Sequence, residues 1–368
     1  MRCPLLPALS RRLPQFSKLP PFIGTALAVA VPCFWQSRIQ AGDLSSHVYN
    51  AWLASLVEQG KAPGLALFHP WTNFAFDVAL AFLTRIIGSG AAQKLLVVFA
   101  VELFFWGAMA LTLRVTGRVC WFLAPCFAVL AYGWVFHAGF FGFYYSFGFS
   151  IWALVALCQQ RRARLAAVPL FPLAISFHAL PVVWALSAAV YAWAAKRISP
   201  RTSHRILLAV AALAAIAGLR FYLTSHFVTV WQIRQLFFAT GADQVWIYDA
   251  KYLKLFGCIL LLAILLLYDL IARKGIAAVA GGLPFQIACL TATGVLLIPV
   301  SIQLPQYQHR LTFIADRMSL ATAVCFCIML GLGNPPKALK GALMALAAVY
   351  FFFVYSDARA VNRIEDRV

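Results

Sequence analysis

The chain has 368 residues, of which 63% are hydrophobic and only 11% are charged, and its mean hydropathy is +0.84. A soluble domain carries about 25% charged residues, so the composition excludes a soluble globular protein and indicates one integral membrane domain. The net charge of +19 is explained by Lys and Arg in cytoplasmic loops, which argues against nucleic-acid binding.

The first apolar run, residues 22–35, follows Arg11, Arg12 and Lys18 and therefore resembles a signal peptide. No convincing small-residue cleavage site follows this run, and the rest of the chain is also strongly apolar. The sequence therefore favours an uncleaved first span with the N-terminus in the cytoplasm.

Apolar segments recur along the whole chain, and most are long enough to cross a hydrocarbon core of about 30 Å. They lie near residues 19–37, 71–88, 95–113, 119–136, 142–158, 165–195, 205–223, 252–271, 276–301, 317–333 and 340–356. The block 165–195 is too long for one helical span. His178 and Pro181 lie at its middle, which predicts a hairpin of two short helices.

The topology depends on whether the segment 71–88 crosses the membrane. If it does not, the arginines at 161–164 and the basic run 196–205 face the cytoplasm, and most of the acids face outward, as the positive-inside rule requires. A crossing would reverse every later loop. The sequence therefore predicts that this segment dips into the bilayer and returns.

The predicted fold is an all-α, multi-pass transmembrane bundle of about eleven spans. Residues 1–356 form the transmembrane domain, in which 38–94 is a long first outer loop with an amphipathic interfacial helix and a membrane-dipping helix. Residues 357–368 form a short outer tail, or the start of a missing soluble domain. The predicted location is the inner (plasma) membrane of a bacterium, with the active face periplasmic or extracellular.

The sharpest local feature comes directly after the first span, where Gly42 and Asp43 precede a pattern of apolar residues at every fourth position: Leu44, Val48, Trp52 and Leu56. This spacing predicts an amphipathic helix at the interface. Asp43, His47 and Asn50 share its opposite face. Asp43 suits a general base, with His47 assisting proton transfer or orienting a phosphate. The simpler alternatives are a helix cap for Asp43 and a snorkelling side chain for His47.

Asp77 lies in an apolar stretch of the segment that begins at His69. An ionisable group at membrane depth is costly unless it meets water or a partner. We therefore consider two interpretations equally: Asp77 binds substrate, or it sits at the interface or forms an ion pair with Arg85.

Other candidate substrate-binding residues lie in later outward segments: His137, His178, His309 and Arg310. His137 stands in a stretch rich in glycine and aromatic residues, for which packing is the simpler interpretation. His178 needs a polar partner at depth. Arg310 suits phosphate or pairs with a neighbour. In the loop 224–251, most polar side chains are expected to be solvated.

No P-loop, GxGxxG, HExxH or GxSxG motif stands in a usable context, which argues against ATP-driven transport and zinc proteolysis. The cysteines show no zinc-ligand or CxxC spacing. The sequence therefore predicts no metal site and no certain cofactor, and leaves a divalent-cation requirement open.

The order of basic N-terminus, span, outer Gly42-Asp43, interfacial helix, dipping helix and further spans resembles the GT-C superfamily of membrane glycosyltransferases. The segments 69–77 and 139–147 and His178 are similar to an uncharacterised bacterial branch of it. The resemblance implies a polyprenyl-phosphate-linked sugar as donor and Asp43 as catalytic base, with His47 a weaker addition. The second outer acidic motif typical of the superfamily is not evident; His137 stands in its place.

The resemblance implies an inverting transfer of a sugar from a polyprenyl-phosphate donor to an acceptor on the outer face. One alternative is a secondary transporter or lipid-linked-oligosaccharide flippase that uses Asp77, Glu102 and His178. Another is a non-catalytic, GT-C-like component of envelope assembly. The expected partners are the lipid-linked sugar and membrane lipids, with no nucleic acid; the oligomeric state stays open.

Overall fold

A computed structural model describes residues 19–68, 71–159, 164–198, 202–305 and 310–367. His69 and His309 lie outside the described residues. The chain divides into two compact units. The first unit comprises Met1–Cys120, Phe136–Val182 and Phe351–Val368, and the second comprises Trp121–Val135 and Val183–Tyr350.

The described residues are predominantly helical. The helices are α1 Leu19–Ala30, α2 Leu44–Glu58, α3 Ala75–Ile87, α4 Ser89–Thr116, α5 Ala124–Ala131, α6 Trp134–His137, α7 Phe141–Leu157, α8 Ala167–Phe177, α9 Ala179–Arg197, α10 Thr202–His226, α11 Gln235–Phe238, α12 Ala250–Lys274, α13 Ile276–Ala280, α14 Leu283–Leu297, α15 Ile314–Leu330 and α16 Lys337–Glu365. Short 3-10 turns cover Val31–Cys33, Trp121–Leu123 and Ala242–Val245. Strands β1 Val228–Val230 and β2 Ser301–Gln303 pair antiparallel.

Five helices within the described part of the chain are long and apolar enough to cross a membrane: α4, α9, α10, α12 and α16. They support an α-helical membrane protein, whereas the number of eleven spans and the sidedness stay predictions. Helix α3 has 13 residues and rises only about 20 Å. It is too short to cross a core of about 30 Å by itself, and the predicted dip of this segment into the bilayer stays a prediction.

The predicted break inside residues 165–195 is confirmed. Helix α8 ends at Phe177, His178 is extended with φ −169° and ψ 133°, and α9 begins at Ala179. The carbonyl group of His178 accepts a hydrogen bond from the Ser146 hydroxyl at 2.6 Å. The break is therefore held in place by α7. The antiparallel pairing of the two helices stays a prediction.

In the first unit, α7 packs between α4 and α8. Close approach is possible because Gly148 faces the side chain of Leu103. Two large polar side chains of α7 donate to carbonyl groups of α4: Tyr145 to Leu96 at 2.7 Å and Trp152 to Leu103 at 3.0 Å. Buried donors are thereby satisfied, and α7 becomes a fixed platform for the segments that meet its N-terminal end.

In the second unit, three polar side chains of the segment 235–245 are buried rather than solvated as the sequence suggested. Gln235, Asp243 and Gln244 are all buried. The Gln235 amide donates to three carbonyl groups at the end of α14: Val295, Leu296 and Ile298. Because these carbonyls have no partner within their own helix, a glutamine inserted there replaces the water that would otherwise bind them.

Asp243 is the carboxyl group of this segment, and it is buried. Its Oδ2 accepts hydrogen bonds from the Ser319 hydroxyl at 2.8 Å and from the Gln244 amide at 3.4 Å. Burial raises the pKa of the Asp243 carboxyl well above its usual value, and the bond from Ser319 only partly opposes that shift. Gly241 allows this segment to lie directly against α15. It adopts φ +73°, and a Cβ at this position would lie 2.4 Å from the backbone nitrogen of Ala323.

Helix α16 continues without a break through residue 357, where the sequence placed the start of an outer tail. In its last turns, the Asn362 side chain is 3% exposed. Its Oδ1 accepts from the Ser37 hydroxyl and the Arg38 backbone N–H, and its Nδ2 donates to the Arg38 carbonyl. Arg38 also pairs with Asp366 at 2.7 Å. The end of α16 thereby fixes the segment that leads to Gly42 and Asp43.

Asn362→Ala is expected to destabilise the protein by about 1–3 kcal/mol, because the Ser37 and Arg38 groups lose their buried partners. The thermal unfolding midpoint in detergent should fall by several degrees, whereas Asn50→Ala, at an exposed position of α2, should leave it unchanged. Equal midpoints for the two variants would contradict a stabilising role for the hydrogen bonds of Asn362.

Candidate functional site

The candidate site begins at the turn before α2. The backbone N–H of Gly42 donates to the carbonyl of His137 at 2.8 Å, and that of Asp43 donates to the carbonyl of Ala138 at 3.0 Å. Asp43 stands at the N-cap position of α2, yet its side chain makes no capping hydrogen bond. The cap interpretation of Asp43 is therefore wrong. Its carboxylate is exposed while its backbone is fixed.

Gly139 is the residue that allows this turn to approach so closely. It adopts φ +81°, and a Cβ on it would lie 2.3 Å from the backbone nitrogen of Asp43. Any side chain would therefore push the turn away. The glycine-rich stretch serves backbone contact here, which agrees with the packing interpretation of that stretch.

Helices α2 and α3 lie side by side. His47 meets Asp77 near the beginnings of the two helices, and Glu58 meets Arg85 near their ends, so the helices run in the same direction. The Nδ1 atom of His47 lies 2.5 Å from Oδ1 of Asp77. The suggested ion pair between Asp77 and Arg85 is therefore wrong, since each has a different partner on α2.

The His47 imidazole is held from two sides. Asp77 fixes Nδ1, and the ring of Phe76 packs edge-on at 5.0 Å. Phe76 in turn stacks on Phe141 at the start of α7. The side chains of His47 and Asp77 remain 18% and 35% exposed, so the pair is ordered by packing and still reaches solvent.

This arrangement has a definite chemical capacity. When the carboxylate of Asp77 accepts the proton on Nδ1, Nε2 of His47 carries the lone pair, and the carboxylate stabilises the imidazolium formed when Nε2 takes up a proton. Asp43 lies one helical turn before His47, and its carbonyl accepts the His47 backbone N–H at 3.0 Å. The first unit thus brings together an accessible carboxylate and a carboxylate-bound histidine.

His137 lies under the same turn. Its Nδ1 donates to the backbone carbonyl of Gln40 at 3.0 Å. Burial lowers the pKa of the His137 imidazole to about 4, although the bond to Gln40 and the charge of Asp357 act in the opposite direction. His137 is therefore uncharged at neutral pH, which suits support of the turn better than binding of an anion.

His178 lies against the N-terminal half of α7. Its Nδ1 accepts the backbone N–H of Leu180 at 3.2 Å, and its ring packs edge-on against Phe143. The polar partner that the sequence required is thus a backbone group. The neighbouring loop is tied to α8 by Thr72, which donates to the carbonyl of Ile175 at 2.6 Å.

Arg310 is exposed in the second unit, after β2. The next residue, Leu311, forms a backbone bridge with Ile302. No cluster of three or more His, Cys, Asp or Glu side chains suited to a metal is found among the described residues.

Two supporting residues escaped the sequence analysis. Asn73 adopts the left-handed φ of +58° and lies against Gly142, where a Cβ would come within 2.6 Å of its Oδ1. Gln40 binds His137 through its backbone and Glu365 through its side chain, the latter at 2.9 Å. Asparagine is enriched among the non-glycine residues that adopt positive φ. The asparagine at position 73 was therefore the signal for this turn that the sequence contained.

Comparisons with protein-family models, with curated proteins and with solved structures found no match to this chain. The membrane-embedded helical architecture therefore rests on the chain's own sequence and structure.

Proposed function

We propose that this chain is a membrane glycosyltransferase that moves a sugar from a polyprenyl-phosphate donor to an acceptor hydroxyl at the outer face of a bacterial inner membrane. The observation that supports this proposal is the pair His47 and Asp77, joined at 2.5 Å, next to the exposed Asp43. Groups of this kind remove a proton from a hydroxyl nucleophile. The similarity to the GT-C superfamily supplies the donor class.

In the proposed reaction, Asp43 accepts the proton of the acceptor hydroxyl. The acceptor oxygen forms a bond to the anomeric carbon while the bond from that carbon to the phosphate oxygen breaks. The polyprenyl phosphate leaves with the bonding electron pair, and the configuration is inverted. His47 accepts a hydrogen bond through Nε2 from a second hydroxyl of the acceptor, and Asp77 is the positioning residue that fixes the tautomer and the orientation of the imidazole.

The second unit by itself contains a cavity of about 340 Å³ lined by aliphatic side chains of α5, α12, α15 and α16, such as Leu130, Leu262 and Leu343. Such a lining suits an apolar ligand. Glu102, one of the three residues of the transporter alternative with Asp77 and His178, accepts a hydrogen bond from Trp106 of the same helix at 2.7 Å.

Asp77→Asn is expected to lower turnover roughly 10- to 100-fold, since the amide can donate to Nδ1 of His47 and favour the wrong tautomer. The measurement is transfer of labelled sugar from a synthetic polyprenyl-phosphate donor by the full chain in liposomes, over a range of pH. Asp77→Glu should restore part of the rate. Asp269→Asn, which breaks a pair with Arg273 on α12, is the matched control.

Two results would count against the proposal. Absence of transfer by the wild-type chain with every donor of a panel of polyprenyl-phosphate sugars would remove the function. An Asp77→Asn variant with the wild-type rate and pH profile would remove the positioning role.

A further inference from the structure

A cleft of about 870 Å³ lies along α2 and α3, on the same pair of helices that holds His47 and Asp77. This volume is in the range of small-molecule sites. Its lining includes the aromatic rings of Tyr49 and Trp52, the charged pair Glu58 and Arg85, and the amide of Gln59.

The two aromatic rings form one exposed platform. Their centroids lie 5.5 Å apart with a tilt of 42°, and Tyr49 and Trp52 are 56% and 51% exposed. Next to them, Ala51 is buried and Ala81 also lines the cleft. Small side chains in the lining leave room for a ligand, and the negative face of an aromatic ring attracts C–H groups of a ligand that lies over it.

The rim of the cleft offers hydrogen-bond acceptors and donors. The hydroxyl groups of Ser45 and Ser55 donate back to the carbonyls of Gly42 and Trp52, which leaves their oxygen lone pairs for a ligand O–H. Gln59 accepts from Lys61 through Oε1, which leaves its N–H groups to donate. Hydrogen-bond donors and acceptors around exposed aromatic rings suit a ring that carries several hydroxyl groups.

The charges of the lining cancel. Arg85 donates a hydrogen bond to Glu58. Among the described residues that line the cleft, Glu58 and Arg85 are the two that carry a charge. A phosphate group would meet the Glu58 carboxylate together with the Arg85 cation, so the lining favours an uncharged ligand over an anion.

We propose that the cleft between α2 and α3 binds a neutral pyranose ring, stacked on Tyr49 and Trp52. The inference rests on the proposed function in one respect: the bound sugar is the acceptor rather than the phosphate-linked donor. The lining of the cleft begins at Ser45, so the cleft reaches the first turn of α2, which follows Asp43.

The test is saturation-transfer NMR on the full chain in phosphatidylcholine nanodiscs. The probes are the methyl glycosides of glucose, galactose, mannose and N-acetylglucosamine. At least one probe should receive saturation at its ring protons. Inorganic phosphate at about 10 mM, which is enough to fill a weak anion site, should not displace this probe. Trp52→Ala should weaken binding roughly three- to tenfold, whereas Trp52→Phe should keep most of it.

Trp193→Ala is the matched control, because Trp193 is 56% exposed and lies on α9 in the second unit. The inference is overturned if no probe receives saturation, if phosphate displaces the probe, or if Trp52→Ala and Trp193→Ala behave alike. Asp43→Asn should bind the probe normally. Trp52-dependent binding without any transfer activity would sink the proposed function alone, and transfer activity without such binding would sink this inference alone.

Discussion

Asp43→Asn is expected to lower the rate of sugar transfer about 10²- to 10⁴-fold, the range that general-base catalysis contributes. The amide has nearly the same shape as the carboxylate but accepts no proton at neutral pH. The side chain makes no capping bond, and the turn is held by backbone hydrogen bonds to His137 and Ala138. The fold of the turn should therefore survive the change, and the loss should appear in turnover rather than in stability.

The measurement combines single-turnover transfer in liposomes with a binding assay for the polyprenyl-phosphate donor. Donor affinity and the thermal unfolding midpoint should match those of the wild type. Asp249→Asn is the control, since Asp249 is also a helix N-cap and its side chain does accept a capping bond, from Lys251. Full activity of Asp43→Asn would exclude Asp43 as the base.

The sequence predicted the helices that border the site, because their signals are local. The apolar spacing from Leu44 and the residues around His178 both gave the correct elements: α2 begins at Leu44, and α8 ends just before His178. The orientation of α2 was not predictable. Leu44 and Ala51 are buried, whereas Trp52 is 51% exposed, because the packing of α3 rather than the four-residue pattern determines which face is covered.

The residues that pair with Asp77 and Arg85 could not be predicted from the sequence, although the spacing of the two residues already argues against a pair between them. Asp77 and Arg85 are eight residues apart on one helix, which separates them by about 12 Å along the axis. That distance is too long for the suggested ion pair. Each residue instead pairs with a residue of α2, and the register of two helices that lie side by side is a tertiary property.

The buried carboxyl group in the second unit shows a further limit. A polar loop segment is expected to be solvated, and nothing in the composition near Asp243 distinguishes it from such a segment. Its burial depends on Gly241 lying against the backbone of Ala323 and on Ser319 donating to its carboxyl. Both contacts join residues more than seventy positions apart.

Gly139→Ala is expected to damage the site more than the same change at any other glycine in the described part of the first unit, because its Cβ would make the closest contact. The new Cβ would lie 2.3 Å from the backbone nitrogen of Asp43 and 2.9 Å from its Cα. Backbone atoms cannot move aside as a flexible side chain can. The turn must therefore shift, and the bond from the Asp43 N–H to the Ala138 carbonyl is lost along with the position of the carboxylate.

The positive φ of Gly139 adds a strain of about 1–2 kcal/mol for any L-residue, so a control must carry the same strain without the contact. Gly117→Ala supplies it: Gly117 has φ +75°, and no atom lies within 4 Å of its Cβ position. Both variants should lower the thermal midpoint, but only Gly139→Ala should also abolish transfer at temperatures where the protein remains folded. Equal transfer rates for the two variants would show that the position of Asp43 does not depend on its contact with Gly139.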